Sequence, residues 1–225
     1  MPHTLRTLAL AALTAAAASA QAQSLQITEW LYNSGSDDAG EFIELTNMGP
    51  TALDLTGWSF DDDSRNAGTV SLSSLGTLAV GESALIAEIS AEAFRAVWGL
   101  PASVKVLGGN TTNLGRNDEI NLFDATLTLA DRLTYGDQGF PGTIRTQVYS
   151  GNPVSLAALG PYEVTPGNWV RSAVGDAYGS VTNTYGDVGN PGRFIYAPVP
   201  EPETYALMLA GLGVLAAARR AARRG

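Results

Sequence analysis

The chain has no cysteine, one histidine and one lysine in 225 residues. Without cysteine, no disulfide framework can hold an exported fold, so stability must come from the hydrophobic core. The histidine is His3, inside an N-terminal stretch that reads as a leader. The stretch that folds therefore has neither imidazole nor thiol, which excludes Ser-His-Asp and Cys-His nucleophile systems and the usual zinc sites. Carboxylate-only chemistry survives: an acid pair of the glycosidase type, or a hard cation such as calcium. Basic residues are also scarce. Eight of the thirteen lie between Gln23 and Ala197, against twenty of the twenty-two acidic residues, so that stretch carries a charge near −12. Such a surface repels phosphate backbones, and nucleic acid is not an expected partner.

What is present is clearest at the two ends. Arg6 precedes an apolar run over 8–18 and then small residues, and Ala20-Gln21-Ala22 fits the small-x-small cleavage rule. Residues 1–22 are thus expected to be a signal helix removed by signal peptidase after Ala22, with a cut after Ala20 as the competitor. At the other end, Val199-Pro200-Glu201-Pro202 is followed by an apolar run over 205–218 and by Arg219, Arg220, Arg223 and Arg224. The prolines forbid regular structure. As a helix the run would span about 21 Å, short of a hydrocarbon core about 30 Å thick. A plain tail anchor is one reading. The arrangement also resembles the PEP-CTERM sorting signal of Gram-negative bacteria over residues 198–225. That resemblance implies that Pro200, Glu201 and Pro202 are substrate residues for a membrane-embedded exosortase. It further implies that the short transmembrane helix at 205–218, with Arg219 and Arg220 on the cytoplasmic side, is a temporary inner-membrane anchor holding the domain in the periplasm.

Between the ends, strand-length segments are broken by Gly, Asn, Asp and Pro. Strands are expected at 25–32, 41–47, 58–61, 83–89, 119–123 and 132–135, with Ile43 and Leu45 alternating with Glu44. Many short strands with closely spaced turns predict an all-β sandwich. One short connecting helix is expected after Ser90, with Phe94, Val97 and Trp98 on its apolar face and Gly99 and Pro101 stopping it. The blocks Ile27-Thr28-Glu29, Gly40-Glu41-Phe42-Ile43-Glu44-Leu45, Asp54-Leu55-Thr56-Gly57-Trp58, Asn117-Asp118-Glu119-Ile120 and Leu133-Thr134-Tyr135-Gly136-Asp137 resemble the lamin-tail domain. The resemblance implies an immunoglobulin-like β-sandwich over 23–137. Residues 138–197 extend past it, rich in Gly, Asn and Pro, with strands expected at 143–149 and 169–174. This extension is expected to add edge strands and loops to the same sandwich.

Candidate sites within the sandwich are few. Asp61, Asp62 and Asp63 form the densest acidic cluster, and a calcium ion would relieve their mutual repulsion. A solvated loop that solubilises an acidic secreted protein is the preferred reading. Arg65 and Asn66 depart from the EF-hand spacing. Asp37-Asp38 is a second acidic pair near a turn. Glu41 and Glu44, three apart on a strand, face opposite ways and cannot flank one bond. Trp30, Trp58, Trp98 and Trp169 could stack on sugars, but core packing is the preferred reading. The expected protein has no catalytic residues and no cofactor. It is an exported, exosortase-processed protein of the cell surface or an exopolysaccharide matrix, structural or adhesive in role. The alternatives are a secreted carbohydrate-active enzyme or its accessory module, and a calcium-dependent binding module.

Overall fold

The computed structural model describes residues 25–36, 39–160, 162 and 164–195. The expected signal helix, Asp37-Asp38 and the whole sorting tail lie outside them. Along the chain come β1 (Leu25–Leu31), β2 (Phe42–Asn47), β3 (Leu53–Asp54), β4 (Ser59–Asp61), β5 (Val70–Ser71), β6 (Thr77–Leu78) and β7 (Ser83–Ala87). Helix α1 (Ala91–Trp98) leads to β8 (Lys105–Leu107), β9 (Asp118–Phe123) and β10 (Leu129–Tyr135). The extension contributes β11 (Gly151–Pro153), β12 (Trp169–Arg171), β13 (Val181–Thr182) and β14 (Val188–Gly189).

Two sheets carry the fold. One has six strands in the order β12-β11-β1-β2-β7-β8, the other four in the order β10-β9-β4-β5. They pack face to face as an immunoglobulin-like β-sandwich. Leu25, Ile27, Ile43, Leu45 and Ile86 of the first sheet share one core with Phe60, Ile120, Leu122 and Leu133 of the second. Trp30 lies fully buried at the edge of that core. Its ring centroid is 5.4 Å from that of Tyr135, and Trp169 meets it edge-on at 5.2 Å. Position 151 in β11 must be glycine, because a Cβ there would lie 2.2 Å from the Trp30 ring.

The helix is where local chemistry expects it. Ser90 accepts from the Ala93 amide at 3.2 Å, and Gly99 closes the last turn in the left-handed conformation. α1 connects β7 to β8, the one parallel pair in the six-stranded sheet. A parallel return needs such a crossover. Phe94, Val97 and Trp98 press onto Leu31, Phe42, Leu85 and Ala87, on the face of the sheet turned away from the main core. Ser90→Ala is expected to cost about 1 kcal/mol by removing the cap, read as a lower urea midpoint with unchanged slope.

Both faces of β1 and β2 are therefore covered, and every residue in them is buried. The period-2 pattern at 43–45 marks two different buried faces. The strand expected at 143–149 is absent. Val148 takes a positive φ of 65°, and only isolated bridges involve Gln147 and Tyr149. The chain straightens into a strand two residues later, at β11.

Candidate functional site

The least ordinary chemistry in the fold lies on the outer face of β1 and β2. A β-bulge breaks the β1–β2 register between Ile27 and Glu29. A bulge turns two successive side chains to one face, and here Thr28 and Glu29 both point outward while Ile27 and Trp30 point into the core. Glu29 then sits directly opposite Glu44 on β2. The Thr28 hydroxyl donates to Glu44 Oε1 at 2.9 Å and lies 2.8 Å from the Thr46 hydroxyl. Ser150 donates to Glu29 Oε1 and contacts the Ser172 hydroxyl at 2.6 Å.

The lid on this polar layer is the end of the extension. Residues 188–194 cross the sheet as a strap over β11, β1, β2 and β7. The Ser150 amide donates to Val188 O at 2.9 Å, and the Asn190 amide donates to Glu29 Oε1 at 2.9 Å. Gly192 N donates to Glu44 Oε2 at 2.6 Å, and Phe194 N donates to the Ser83 hydroxyl at 3.3 Å. Gly189 is required by the close approach: a Cβ there would stand 2.9 Å from Ser150 Oγ and 3.0 Å from Glu29 Oε1.

No arginine or lysine pairs with either carboxylate among the described residues. Burial drives the Glu29 carboxyl well above its ordinary value, and the neighbouring Glu44 charge adds to the rise. Burial likewise lifts Glu44 to about 7, against the hydrogen bonds from Thr28, Gly192 and Ser83. Glu29 Oε2 is buried with no hydrogen-bond partner. A bare carboxylate oxygen there would lack both water and a donor, so the neutral acid is much the cheaper form. Asp131 on β10 is a third buried acid. It accepts from the Ile27 amide at 2.8 Å, at a point of β1 that β11, which pairs only at Trp30, does not reach, and burial raises it to about 7.

The residues singled out from sequence fall elsewhere. Asp61, Asp62 and Asp63 diverge. Asp61 is buried and accepts from the Ser64 hydroxyl at 2.7 Å and from the Asn66 amide, bracing its own loop. Asp62 accepts from Ser64 N at 3.0 Å, and Asp63 faces solvent. Among the described residues, no three His, Cys, Asp or Glu side chains are grouped to hold a metal ion. Glu41 accepts from the Ser34 amide at 3.1 Å, away from the Glu44 side chain under the strap. All four tryptophans are buried, so they offer no stacking platform. Next to the Asp61 loop, on the outer face of the four-stranded sheet, Arg65 grips Glu119 through two nitrogens at 2.7 and 2.6 Å. Burial works against the Glu119 charge, but Arg65, Asn121 and Arg132 together hold its carboxyl below the ordinary value.

Among the described residues, three hollows open to solvent bear on the question, the smallest of about 10 Å³ between Glu41, Ile86, Glu88 and Asn110. A groove of about 170 Å³ between α1 and the strap is lined by Trp98, Leu100, Tyr178, Val181, Pro191 and Ile195. A shallower one of about 330 Å³ is lined by Glu88, Ile89, Asn110, Thr111 and Asn113. Neither of the two larger hollows brings two carboxylates together. The smallest holds Glu41 and Glu88, but its volume is about that of one water and leaves no room for a sugar between them.

Glu29 and Asp131 escaped the sequence reading, as did the pairing of Glu29 with Glu44. The signal for the first lay in Thr28-Glu29, two polar residues in a row inside an apolar strand. Ala20, Ala22, Pro200, Glu201, Pro202, Arg219 and Arg220 lie outside the described residues. Among those described, no helix is long and apolar enough to cross a membrane.

Comparison with known proteins bears on both parts of the chain. No curated protein matches it. The family described as PEP-CTERM protein-sorting motif matches residues 198–224, which implies export, a cell-surface or extracellular destination and processing by an exosortase. The family described as Lamin Tail Domain matches residues 18–137, more than half of the chain. With the β-sandwich that those residues form, the match places the chain in the lamin tail domain family.

Proposed function

We propose that this is a non-catalytic structural or adhesive protein of the cell surface or of an exopolysaccharide matrix. An exosortase acting near Pro200-Glu201-Pro202 would release it from a transient inner-membrane anchor. The observation that carries the reading is the sorting motif itself, placed three residues beyond the last described residue, Ile195. The rest of the chain supports it. The carboxyl groups raised most by burial, Glu29, Glu44 and Asp131, are sealed under the strap or between the sheets, out of reach of a substrate. An acid with no access to solvent cannot exchange protons with a glycosidic oxygen. A sandwich of this kind offers surface and stiffness, and its partner must be read from a site and not from its fold.

Fractionating the producing cell and weighing the intact mature protein tests the proposal. The expected product lacks residues 1–22 and the segment beyond Pro202, and is found outside the inner membrane. A mature form that keeps 205–225 in the inner-membrane fraction would overturn it. So would hydrolysis of a polysaccharide that one Asp or Glu substitution abolishes.

A further inference from the structure

The strap is fastened in an unusual way. A segment docked on a sheet ordinarily adds a strand or buries apolar side chains. The strap starts in that way, with Val188 buried and bonded to Val148 and Ser150, and with Asn152 donating to Asn190 Oδ1 at 2.9 Å. Over β1, β2 and β7, however, the backbone amides of Asn190, Gly192 and Phe194 reach down to Glu29, Glu44 and Ser83. The two acceptors on β1 and β2 are carboxyl groups placed opposite each other in a ladder, the arrangement that two negative charges tolerate least.

We propose that residues 188–194 form a proton-operated clasp: the strap stays docked while Glu29 and Glu44 are neutral, and ionisation of the pair drives it off the sheet. The groups facing the pair set the sign. From β1 and β2 come Thr28 and the two acids themselves, and from β7 comes Ser83. Ser150 and Ser172 approach from beside β11 and β12, and Asp176, in the loop before β13, adds a second negative charge near Glu29. The part of α1 that faces this side of the sheet is apolar, through Phe94, Val97 and Trp98. Of the strap's own charges there is only Arg193. Its side chain is exposed, and its backbone amide is what bonds to Glu44. The hydroxyls and amides favour the ionised form, but burial outweighs them at both carboxyls, and none of these groups is a cation that could offset a second negative charge. Lifting the strap lets water reach both carboxylates, which removes the cost of burying them.

Release has a consequence that rests on the exosortase reading. Docked, the strap ends at Ile195, three residues before the sorting motif begins at 198. Freed, residues 188–195 add eight residues of chain, about 26 Å of reach, between the folded domain and that motif. The clasp thus sets how closely the sandwich crowds the segment an exosortase must bind.

Hydrogen exchange of the full chain, corrected for the intrinsic pH dependence of exchange, reads the clasp without reference to processing. The probes are the amides of Asn190, Gly192 and Phe194, with the β2 amides as internal reference. Between pH 5.5 and 8.5 the strap's protection relative to β2 should fall roughly thirtyfold from Glu44 alone, given its shift from 4.5 to about 7. In a chain carrying both Glu29→Gln and Glu44→Gln the ratio should stay flat over that range. A wild-type ratio constant within twofold would overturn the clasp, as would a folded double variant that keeps the wild-type dependence. If the double variant does not fold, the wild-type series decides alone. Neither result touches the exosortase reading, which stands or falls on the mass of the mature protein.

Discussion

A chain ending at Asp137 is expected to lose cooperative folding, even though it contains the whole of the family-matched segment. The six-stranded sheet depends on residues C-terminal to that point. β11 pairs with β1 at Trp30, and β12 lies outside β11. Trp169, Val164 and Leu159 all sit in the main core, and Trp169 covers the edge of Trp30. Each such side chain contributes about 1.5–3 kcal/mol by leaving water. Losing three, and exposing Trp30 as well, exceeds half of a typical stability of about 5–15 kcal/mol. Relief of the buried Glu29 and Glu44 charges offsets part of this, since removing the strap lets both hydrate. It cannot replace lost apolar contact on the other face of the sheet. Circular dichroism melting and gel filtration of 23–137 beside 23–195 make the comparison. The longer chain should show one sharp transition, and the shorter a broad, featureless loss of signal with aggregation. A shorter chain melting cooperatively within a few degrees of the longer would mean that the extension is an appendage.

The parts of this fold legible in the sequence are those specified by local chemistry. The Ser90 cap, the apolar face of α1 and the Gly99 stop sit within ten residues of one another, so the helix could be placed almost to the residue. The C-terminal sorting motif was legible for a different reason: a processing enzyme reads a linear motif, and no tertiary packing is needed to present it. What could not be read depends on distant chain. Glu44 alternates with Ile43 and Leu45 as a solvent-facing residue would, and only a strap arriving 148 positions later buries it. That strap is Gly189-Asn190-Pro191-Gly192, which has the composition of a surface turn. The bulge at Thr28 needs no unusual residue, yet it alone brings Glu29 opposite Glu44. At Asp61, Asp62 and Asp63 the adjacency suggested convergence on a cation. Successive residues leaving a strand point apart, and Asp61 turned inward to organise the loop that the other two decorate.

The folded domain is expected to be more stable near pH 5 than at pH 8. In the unfolded chain Glu44 and Asp131 titrate at their ordinary values of 4.5 and 3.8, whereas in the fold both are raised to about 7. Between those limits the folded state holds protons that the unfolded state has lost. Stability is therefore complete below about pH 4 and declines as pH rises toward 7. At about 1.4 kcal/mol per pH unit, each group alone could cost about 3 kcal/mol by pH 8. Carboxylates held below their ordinary values act oppositely. Glu119 and Asp176 contribute stability above their unfolded values and lose it as pH falls, which places the maximum near pH 4.5–5. For a domain of this size, 3 kcal/mol corresponds to roughly 6–12 °C in Tm. Calorimetry from pH 4 to 9 should show Tm falling across pH 5–8, and a rise over that range would contradict the buried-acid account. Net negative charge predicts a fall of the same sign, because a self-repelling surface also relaxes on acidification. Salt separates the two: 0.5 M sodium chloride screens exposed charges and leaves buried ones nearly untouched. The slope should survive salt in the wild type and flatten in Glu44→Gln and Asp131→Asn. Asp131 accepts from the Ile27 and Arg132 amides, one on each oxygen, and Asn keeps an oxygen for only one of them. Asp131→Asn therefore loses a bond at every pH, and it is the change in slope that reports the lost ionisation.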